Sequence, residues 1–438
     1  MRRTRYLAVG LALTIALAGC GGDEADPEEA TEDGAATETS TEAPTEEATE
    51  TAAASPTEAG TASGEGCAEL VIGSVHPLTG GLALDGTQMD AATQMAADDL
   101  STDGLSITIA SADSQGEPEI GQTEAQRLIQ EGANALVGTY QSAVTTNLAT
   151  VAQREQVPLV IDVAVDDAIT SEDNDYVFRI QPNATAMGTF GAQYLQALGE
   201  NAGEPIETVV YMHDETSFGT SVLAAFEAEA GNVGIEILET IAYNPFEVQD
   251  VTTEMQRVAA AAPDALVVTG YYNDGVLVAE TAASVQPDVN AIVGVAQGAY
   301  DLPQFPQDTP DASNGIFDSN YHFDATKERV QDIRSRFEEE NGDAMRTAAV
   351  LAYQAVEVIA TAARSAASCD GADIAAAIQE VEVPEPLLTF PGPITFDDSG
   401  ENENAQPVLM QVQEGEVLQV YPEEFAEAEP QFPAVPWQ

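Results

Sequence analysis

The feature that most constrains the fold is an alternation of short apolar runs with segments of helical periodicity, extending from Glu69 to Gly294. Runs of this length are typical of buried strands, and longer amphipathic segments separate most of them. Such an alternation predicts parallel sheets with crossover helices, an α/β fold. The predicted strands are Glu69–Val75, Leu105–Ser111, Ala135–Gly138, Pro158–Asp162, Val177–Ile180, Glu207–Met212, Gly234–Ile241, Ala265–Thr269 and Ala291–Gly294.

The pattern falls into two blocks that meet near Asn183, each of the size of a lobe. From Asp324 the periodicity is helical, with an Ala-rich helix predicted over Arg346–Ser365. Near the end of the chain, Val408–Val412 and Val417–Tyr421 flank a polar turn and predict a hairpin. A globular part that runs from residue 67 to 438 exceeds a usual single domain, so two lobes are expected.

The N-terminus has the order of parts found in an export signal. Three arginines precede the apolar run Leu7–Ala18, which is too short to span a membrane. Small residues lie directly before Cys20, which resembles the lipobox of bacterial lipoproteins and implies cleavage after residue 19 and lipidation of Cys20. The alternative is a plain signal peptide with a coincidental cysteine.

Residues 20–66 predict a disordered acidic tether. After Cys20 the segment has no Lys, Arg or aromatic residue and so cannot bury a core, while its like charges extend it. Ten of the 13 basic and 61 of the 75 acidic side chains lie in 67–438, which gives that part a formal charge of −51. This balance argues against nucleic acid as a partner and resembles the surface of proteins from high-salt environments.

The sequence predicts no metal site, no cofactor and no enzymatic activity. Its three histidines and three cysteines have no metal-ligand spacing, and no nucleophile elbow, zinc-protease motif or P-loop occurs. In an oxidising compartment, Cys67 and Cys369 either form a disulfide or remain two free thiols.

The stretch 135–147 runs from a predicted strand through a polar turn into a helix. We expect Ser142 to be the N-cap of a helix over Ala143–Glu155. Unpaired N–H groups at such a helix start, together with the hydroxyls of Ser142 and Thr145, suit a carboxylate or another acceptor group. Ordinary helix capping without a ligand is the alternative.

Four stretches together resemble the branched-chain amino-acid type of substrate-binding proteins of ABC importers, which have the type I periplasmic-binding fold. They are Ile72–Gly80, Asp113 with the segment from Pro118 to Gly138, His213–Gly219, and Gly392–Asp397. The resemblance covers nearly all of 67–438. It implies two Rossmann-like lobes with parallel-sheet cores joined by a three-strand hinge. The implied lobes are 67–183 with 321–392, and 184–320 with 393–438.

The resemblance also implies a ligand site between the lobes. Ser142 matches the residue that holds the ligand carboxylate, Tyr271 matches a tyrosine that closes over the ligand, and Phe218 lies where a ring often packs. Two positions depart from the pattern. Val165 occupies the position of a carboxylate-binding threonine, and Gln297 that of an ammonium-binding acid.

The departure at Gln297 suggests a ligand less like a zwitterionic amino acid and more like an amide, a urea-like compound or a carboxylic acid, since a buried ammonium needs a compensating charge. Ser142, Tyr140, Gln141, Val163, Val165, Phe218, Tyr271, Gln297 and Asp85 are the predicted ligand-binding residues. Asp85, Asp162 and Asp274 could each restore an ammonium site, or be ordinary surface acids. Tyr272 could line the cleft or pack elsewhere, and His76 could satisfy local backbone groups.

The resemblance implies a monomeric receptor, lipid-anchored on the extracytoplasmic face of the membrane. It would capture a small polar molecule, such as an amino acid or an amide, and deliver it to an ABC permease. The alternative is a sensor that signals to a membrane partner.

Overall fold

The computed structural model describes residues 66–170 and 174–437. The predicted signal peptide, Cys20 and the tether up to residue 65 lie outside the described residues. Within the described part, no helix is long and apolar enough to cross a membrane.

A five-stranded parallel sheet forms the first half of the fold, in the order β2-β1-β3-β4-β5. Its strands are short, and helices connect most of them, as the alternating pattern predicts. The elements are β1 (Glu69–His76), α1 (Ala83–Leu100), β2 (Ser106–Asp113), α2 (Pro118–Gln130), β3 (Ala135–Gly138), α3 (Ser142–Glu155), β4 (Leu159–Ile161) and β5 (Val177–Arg179).

A seven-stranded sheet forms the second half, in the order β12-β11-β10-β9-β8-β6-β7. β11 pairs antiparallel with both of its neighbours, and the other neighbouring strands are parallel. The elements are α4 (Ala184–Ala202), β6 (Thr208–Asp214), α5 (Ser217–Ala230), β7 (Glu236–Tyr243), α6 (Thr252–Ala261), β8 (Ala265–Gly270), α7 (Tyr272–Val285), β9 (Ala291–Gln297), α8 (Gln304–Asp308), β10 (Phe317–Asn320), α9 (Glu328–Asn341), α10 (Thr347–Ala366), α11 (Gly371–Gln379), β11 (Val408–Gln413) and β12 (Glu416–Tyr421).

Helices cover both faces of the inner strands, which explains why these strands read as nearly continuous apolar runs, whereas the edge strands β2 and β7 keep exposed residues. In the first sheet, Ile72 and Val137 pack in the same cluster as side chains of α1 and α10, whereas Leu136 and Ile161 pack in the cluster that contains side chains of α3. Alternate residues of the second sheet divide in the same way between two clusters. The fold is therefore two α/β layers of the kind that the sequence predicts.

The chain passes between the two sheets at three places. The first passage lies between β5 and α4, and the second follows β10, after which α9 and α10 pack on α1. Before the third passage, Arg179 donates its backbone N–H to Gly400 and accepts one from Asn402. Because residues 400–402 thus pair with the edge of the first sheet, we infer that the third crossing lies between Asn402 and Val408, later than the expected boundary at 392.

Several details differ from the sequence prediction. β10 is missed because Phe317-Asp318-Ser319-Asn320 is mostly polar, although all four residues are buried. The helical periodicity predicts helices that begin at Thr87, Ser221 and Val276, and the corresponding helices α1, α5 and α7 begin four residues earlier, at Ala83, Ser217 and Tyr272. Polar residues near these helix starts resemble loop sequence, so the loops at the ends of the strands are shorter than expected.

Cys67 and Cys369 form a disulfide with a Cα–Cα distance of 4.9 Å across 302 residues of sequence. The bond ties the segment before β1 to the turn before α11. In the same place, the Asn134 side chain accepts a hydrogen bond from the Val71 N–H and donates one to the Cys369 carbonyl. The turn is thereby joined to the first sheet.

Candidate functional site

A cavity lies where loops from the carboxyl ends of both sheets meet, the usual place for a ligand in open α/β sheets. About 30 Å³ of it can be reached by the centre of a water-sized sphere; with the part open to solvent, the space between the protein atoms is about 360 Å³. Among the described residues, those that line it include no acid, lysine, arginine or histidine. The lining residues are Tyr140, Ser142, Val163, Ala164, Val165, Phe218, Gly270, Tyr271, Ala296, Gly298, Asn320 and Tyr321.

Six of the nine predicted ligand-binding residues line this cavity: Tyr140, Ser142, Val163, Val165, Phe218 and Tyr271. The structure brings them together because β3, β4, β6 and β8 all end at this edge of their sheets. The other three, Gln141, Asp85 and Gln297, do not line it. Gln141 lines a neighbouring pocket that also includes Tyr271, and the assignment of these three residues as ligand contacts stays a prediction.

Ser142 is the first residue of α3 and not its N-cap as expected. The N-cap position belongs to Gln141, whose side chain caps nothing and instead donates to the Gly116 carbonyl at 3.2 Å. The Ser142 hydroxyl accepts the Asp166 N–H at 3.3 Å and keeps its own proton for another acceptor. The helix start thus has no side-chain cap, and a hydroxyl lies beside it.

Thr145, the second hydroxyl expected at this helix start, is fully buried and already paired. Its side chain lies 2.8 Å from the Thr139 hydroxyl and donates to the Gln141 carbonyl at 2.9 Å. Thr145 therefore stabilises the turn and does not reach the cavity.

Gln297 turns its side chain into the protein. Its amide nitrogen donates to the Tyr271 carbonyl at 2.8 Å, and its amide oxygen accepts the Ala299 N–H at 2.6 Å. A Cβ added to Gly275 would lie 2.1 Å from this amide, so the space around it is fully occupied. The side chain of Gln297 therefore joins two loops of the second sheet. It does not line the cavity as an acidic ligand contact at this position would.

The three acids considered for an ammonium site are all buried, and none is the surface acid of the alternative interpretation. Asp85 forms an ion pair with Arg346 at 2.8 Å, and Asp162 lies 2.7 Å from Nε2 of the His76 imidazole. Asp274 accepts the Tyr271 N–H at 3.0 Å and the Tyr243 hydroxyl at 2.6 Å. Each carboxylate has a protein partner and none lines the cavity.

His76 also differs from its expected role as a local backbone contact. Its Nδ1 lies 3.0 Å from the Ser74 hydroxyl, which donates to Asp90, while its Nε2 faces Asp162. The imidazole thus links the ends of β1 and β4. Asp113, in one of the motifs of the resemblance, likewise fixes the first loop by accepting the N–H groups of Leu78 and Thr79.

Aromatic rings form much of the cavity wall. The Tyr271 ring is central: its centroid lies 5.3 Å from that of Phe218 and 6.0 Å from that of Tyr140. Burial and neighbouring acids raise the pKa of Tyr140, Tyr271 and Tyr321 well above the usual value, so all three phenols are protonated at neutral pH. The hydroxyls of Tyr140 and Tyr321 have no hydrogen-bond partner among the described residues.

Two backbone positions shape the site. Gly138, at the end of β3, has φ +132°, and a Cβ there would lie 2.3 Å from the Val75 carbonyl oxygen. Only glycine fits this turn without displacing β1. On the other side, Ala296 lines the cavity with φ 54°, a left-handed conformation that costs an L-residue free energy and recurs at binding sites.

The prediction missed Asn320 and Tyr321, which line the cavity from the passage after β10. Asn320 donates to the Gln297 carbonyl at 3.2 Å and accepts the Tyr321 N–H at 2.9 Å, so it positions the backbone beside the cavity. The only sequence signal was the Tyr321-His322-Phe323 group before the helical region. Within the described residues, no group of His, Cys, Asp and Glu could hold a metal ion.

Comparisons with known proteins agree with this geometry. A family model described as periplasmic binding protein matches residues 69–416. The chain is 26% identical over 387 residues to "Leu/Ile/Val-binding protein homolog 8" of Brucella suis, covering 85% of this chain and 95% of that protein.

Crystal structures of substrate-binding proteins share the fold. The leucine-binding protein LivK of Thermotoga maritima superposes with a TM-score of 0.70 at 22% identity, over 80% of this chain and 97% of that one. LivJ of Streptococcus pneumoniae, in complex with isoleucine, gives 0.70 at 21% identity over the same shares. The family model covers more than three quarters of the sequence, and the chain belongs to the periplasmic binding protein family.

Proposed function

We propose that the cavity binds a small molecule through a carboxylate or another acceptor group held at Ser142 and the start of α3. The family consists of substrate-binding receptors, and the chain is an extracytoplasmic receptor that supplies an ABC importer, not an enzyme. Its own ligand is the open question. Amino-acid ligands of the relatives make an amino acid or a similar carboxylate the first candidate.

The main support for this proposal is a set of hydrogen-bond donors around the cavity that have no acceptor among the described residues. Ser142, Tyr140 and Tyr321 each line the cavity with a hydroxyl proton that has no acceptor among the described residues. The first N–H groups of α3 add the positive end of the helix dipole, with no side-chain cap. Donors without acceptors favour a ligand rich in acceptors, and a carboxylate supplies the most.

The cavity wall also limits the ligand. Val163, Val165, Phe218 and Tyr271 present carbon to the ligand, so its body is apolar or weakly polar. Val165 cannot replace the hydrogen bond of a threonine, which leaves Ser142 as the principal side-chain contact for the carboxylate on the first sheet. Closure of the lobes requires contacts from both sheets, and Tyr271 and Phe218 supply those of the second.

We further propose that Cys20 is lipidated and that residues 20–66 hold the receptor off the membrane. The sequence pattern around Cys20 supports this, although it lies outside the described residues. Mass spectrometry of the membrane fraction would detect the lipid on Cys20. A soluble product cleaved at another position would contradict the anchor.

The test of the ligand proposal is calorimetry on the folded receptor, in molar salt, with L-leucine, L-leucinamide, benzoate and urea. Ser142→Ala should weaken carboxylate binding by about 1–2 kcal/mol, because one hydrogen bond to a charged group is lost. Ser335→Ala, at an exposed helix position of α9, is the matched control and should bind as the wild type does. Equal affinity in Ser142→Ala and wild type would remove Ser142 from the site, and binding of urea or the amide alone would exclude the carboxylate.

A further inference from the structure

Four aromatic side chains, Tyr140, Phe218, Tyr271 and Tyr321, line the cavity. Their rings come from loops of both sheets and from the passage after β10. The face of an aromatic ring carries partial negative charge and attracts a cation within about 6 Å of the centroid. A cavity of this composition can hold a positive group without a carboxylate.

The carboxylates nearby are not free to accept N–H donors from a ligand. Asp274 is engaged by the Tyr271 backbone and the Tyr243 hydroxyl, and Asp85 by Arg346. Asp318 accepts from the Asn320 amide, and burial raises the pKa of its carboxyl well above the usual value. A primary ammonium brings three N–H donors, each costly to bury without an acceptor. A fully methylated ammonium brings none.

The charges behind the rings favour a cation over a neutral group. Asp214 lies close enough to Tyr271 for its charge to raise the pKa of that phenol further, after burial. Asp301, Asp85 and Asp162 act on Tyr321 in the same direction. The rings thus separate the cavity from buried acids, whose field reaches a ligand that cannot touch them.

We infer that the ligand is a betaine-type carboxylate, whose quaternary ammonium is held by the rings of Tyr140, Phe218, Tyr271 and Tyr321 while its carboxylate binds at Ser142. This inference rests on the proposed carboxylate site and adds the chemistry of the opposite end. Cation–π attraction replaces the ion pair that a free amino acid would require.

A pair of ligands of the same shape tests this inference. Trimethylglycine and 3,3-dimethylbutanoate differ only in that a positively charged nitrogen replaces a neutral carbon. Calorimetry with the wild-type receptor in molar salt should give at least fivefold tighter binding of trimethylglycine, and weak binding of glycine. Equal or tighter binding of 3,3-dimethylbutanoate would overturn the inference and leave the carboxylate site intact. If no carboxylate binds, the proposed function fails as well.

Variants locate the effect on the rings. Phe218→Leu keeps an apolar side chain but removes one aromatic face, and should lower the affinity for trimethylglycine about three- to tenfold while changing that for 3,3-dimethylbutanoate less than twofold. Phe190→Leu, whose ring packs on Tyr194 in the second sheet's core, is the control and should change neither. An equal loss for both ligands in Phe218→Leu would show a packing effect and contradict the cation contact.

Discussion

Two regions between the sheets differ in charge: one is lined by uncharged side chains, and the other contains buried charged side chains. The candidate ligand cavity has no formally charged lining side chain among the described residues. The second region, here called the interlobe clasp, consists of Asp85, Tyr272, Asp301, Arg346 and Thr347. Its charged side chains are buried: Arg346 binds Asp85 at 2.8 Å and lies 4.9 Å from the centroid of the Tyr272 ring, and Asp301 lies 3.9 Å from the His322 imidazole.

The difference follows from the source of the hydrogen-bond and ion-pair partners, which is the protein in the clasp and a ligand in the cavity. An ion removed from water costs several kcal/mol unless it is paired, so charges can be buried in the clasp, where partners come from the protein. In the cavity, the partner arrives only with the ligand. A neutral hydroxyl or ring without a partner costs much less free energy than an unpaired charge. Asp301 has a neutral protein partner, since it accepts the Thr347 hydroxyl at 3.0 Å from across the cleft. The cavity is therefore lined by neutral hydrogen-bond donors, whereas the charged side chains lie in the clasp.

The sharpest way to break this comparison is Arg346→Met. The change leaves the Asp85 carboxylate buried without its partner, and we expect the free energy of unfolding at pH 7 to fall by about 3–5 kcal/mol. Burial already raises the pKa of Asp85, and Arg346 is the neighbour that lowers it. Urea unfolding followed by circular dichroism measures the effect.

Two variants serve as controls for that experiment. Arg154→Met removes an arginine whose pair with Glu155 is half exposed, and should change stability by less than about 1 kcal/mol. The double variant Asp85→Asn with Arg346→Met removes both charges and should recover part of the loss. A fall below about 1 kcal/mol in Arg346→Met alone would mean that the clasp is no more than a surface ion pair.

The fold was predictable because its information is local and repeated. Each strand from β1 to β9 was located by an apolar run, since strands covered on both faces need one. β10 was not, because Asp318, Ser319 and Asn320 are buried by neighbours that the sequence does not specify. The position of the third crossing was also not predictable from the sequence. It is inferred from the pairing of Gly400 and Asn402 with Arg179, which joins residues more than 220 positions apart.

The candidate site was predictable in position but not in chemistry. Ser142, Tyr140 and Phe218 follow predicted strands, and strand ends meet at one edge of a sheet. Whether a polar residue there faces the cavity depends on side-chain direction, which a single sequence does not give. Gln297 and Asp85 had suitable positions and turned inward, because Tyr271 and Arg346 offered partners.

Asp274 sharpens the comparison, because it is an acid directly behind the cavity wall. Burial raises its pKa to about 7 in the folded protein, from 3.8. The folded state therefore binds more protons than the unfolded state between these values, and the free energy of unfolding falls as the pH rises from about 4 to about 7. Asp274→Asn should remove this part of the pH dependence, changing the difference between variant and wild type by about 2–4 kcal/mol over that range.

The measurement for Asp274 is urea unfolding of both proteins at pH 5, 6, 7 and 8. Asp288→Asn is the matched control, since it makes the same change at an exposed position, and its difference from the wild type should stay nearly constant with pH. A constant difference for Asp274→Asn as well would show that the ionisation state of Asp274 does not change over this range, and would contradict the raised pKa.

The smallest expected effect concerns Thr347→Val, which removes the hydroxyl that Asp301 accepts and keeps the side-chain shape. Thr347 begins the 20-residue helix α10, packed on the first sheet, while Asp301 follows β9 of the second, so the contact exists only while the lobes are together. Its loss should disfavour the closed form by about 1 kcal/mol, a fivefold change in the ratio of closed to open molecules. Small-angle X-ray scattering of the ligand-free protein should show a larger radius of gyration, and ligand affinity should fall by up to the same factor.

The control is Thr150→Val, whose hydroxyl bonds only within its own exposed helix face and which should change neither quantity. If Thr347→Val also changes neither, the clasp stabilises each lobe separately, and closure depends on the cavity alone.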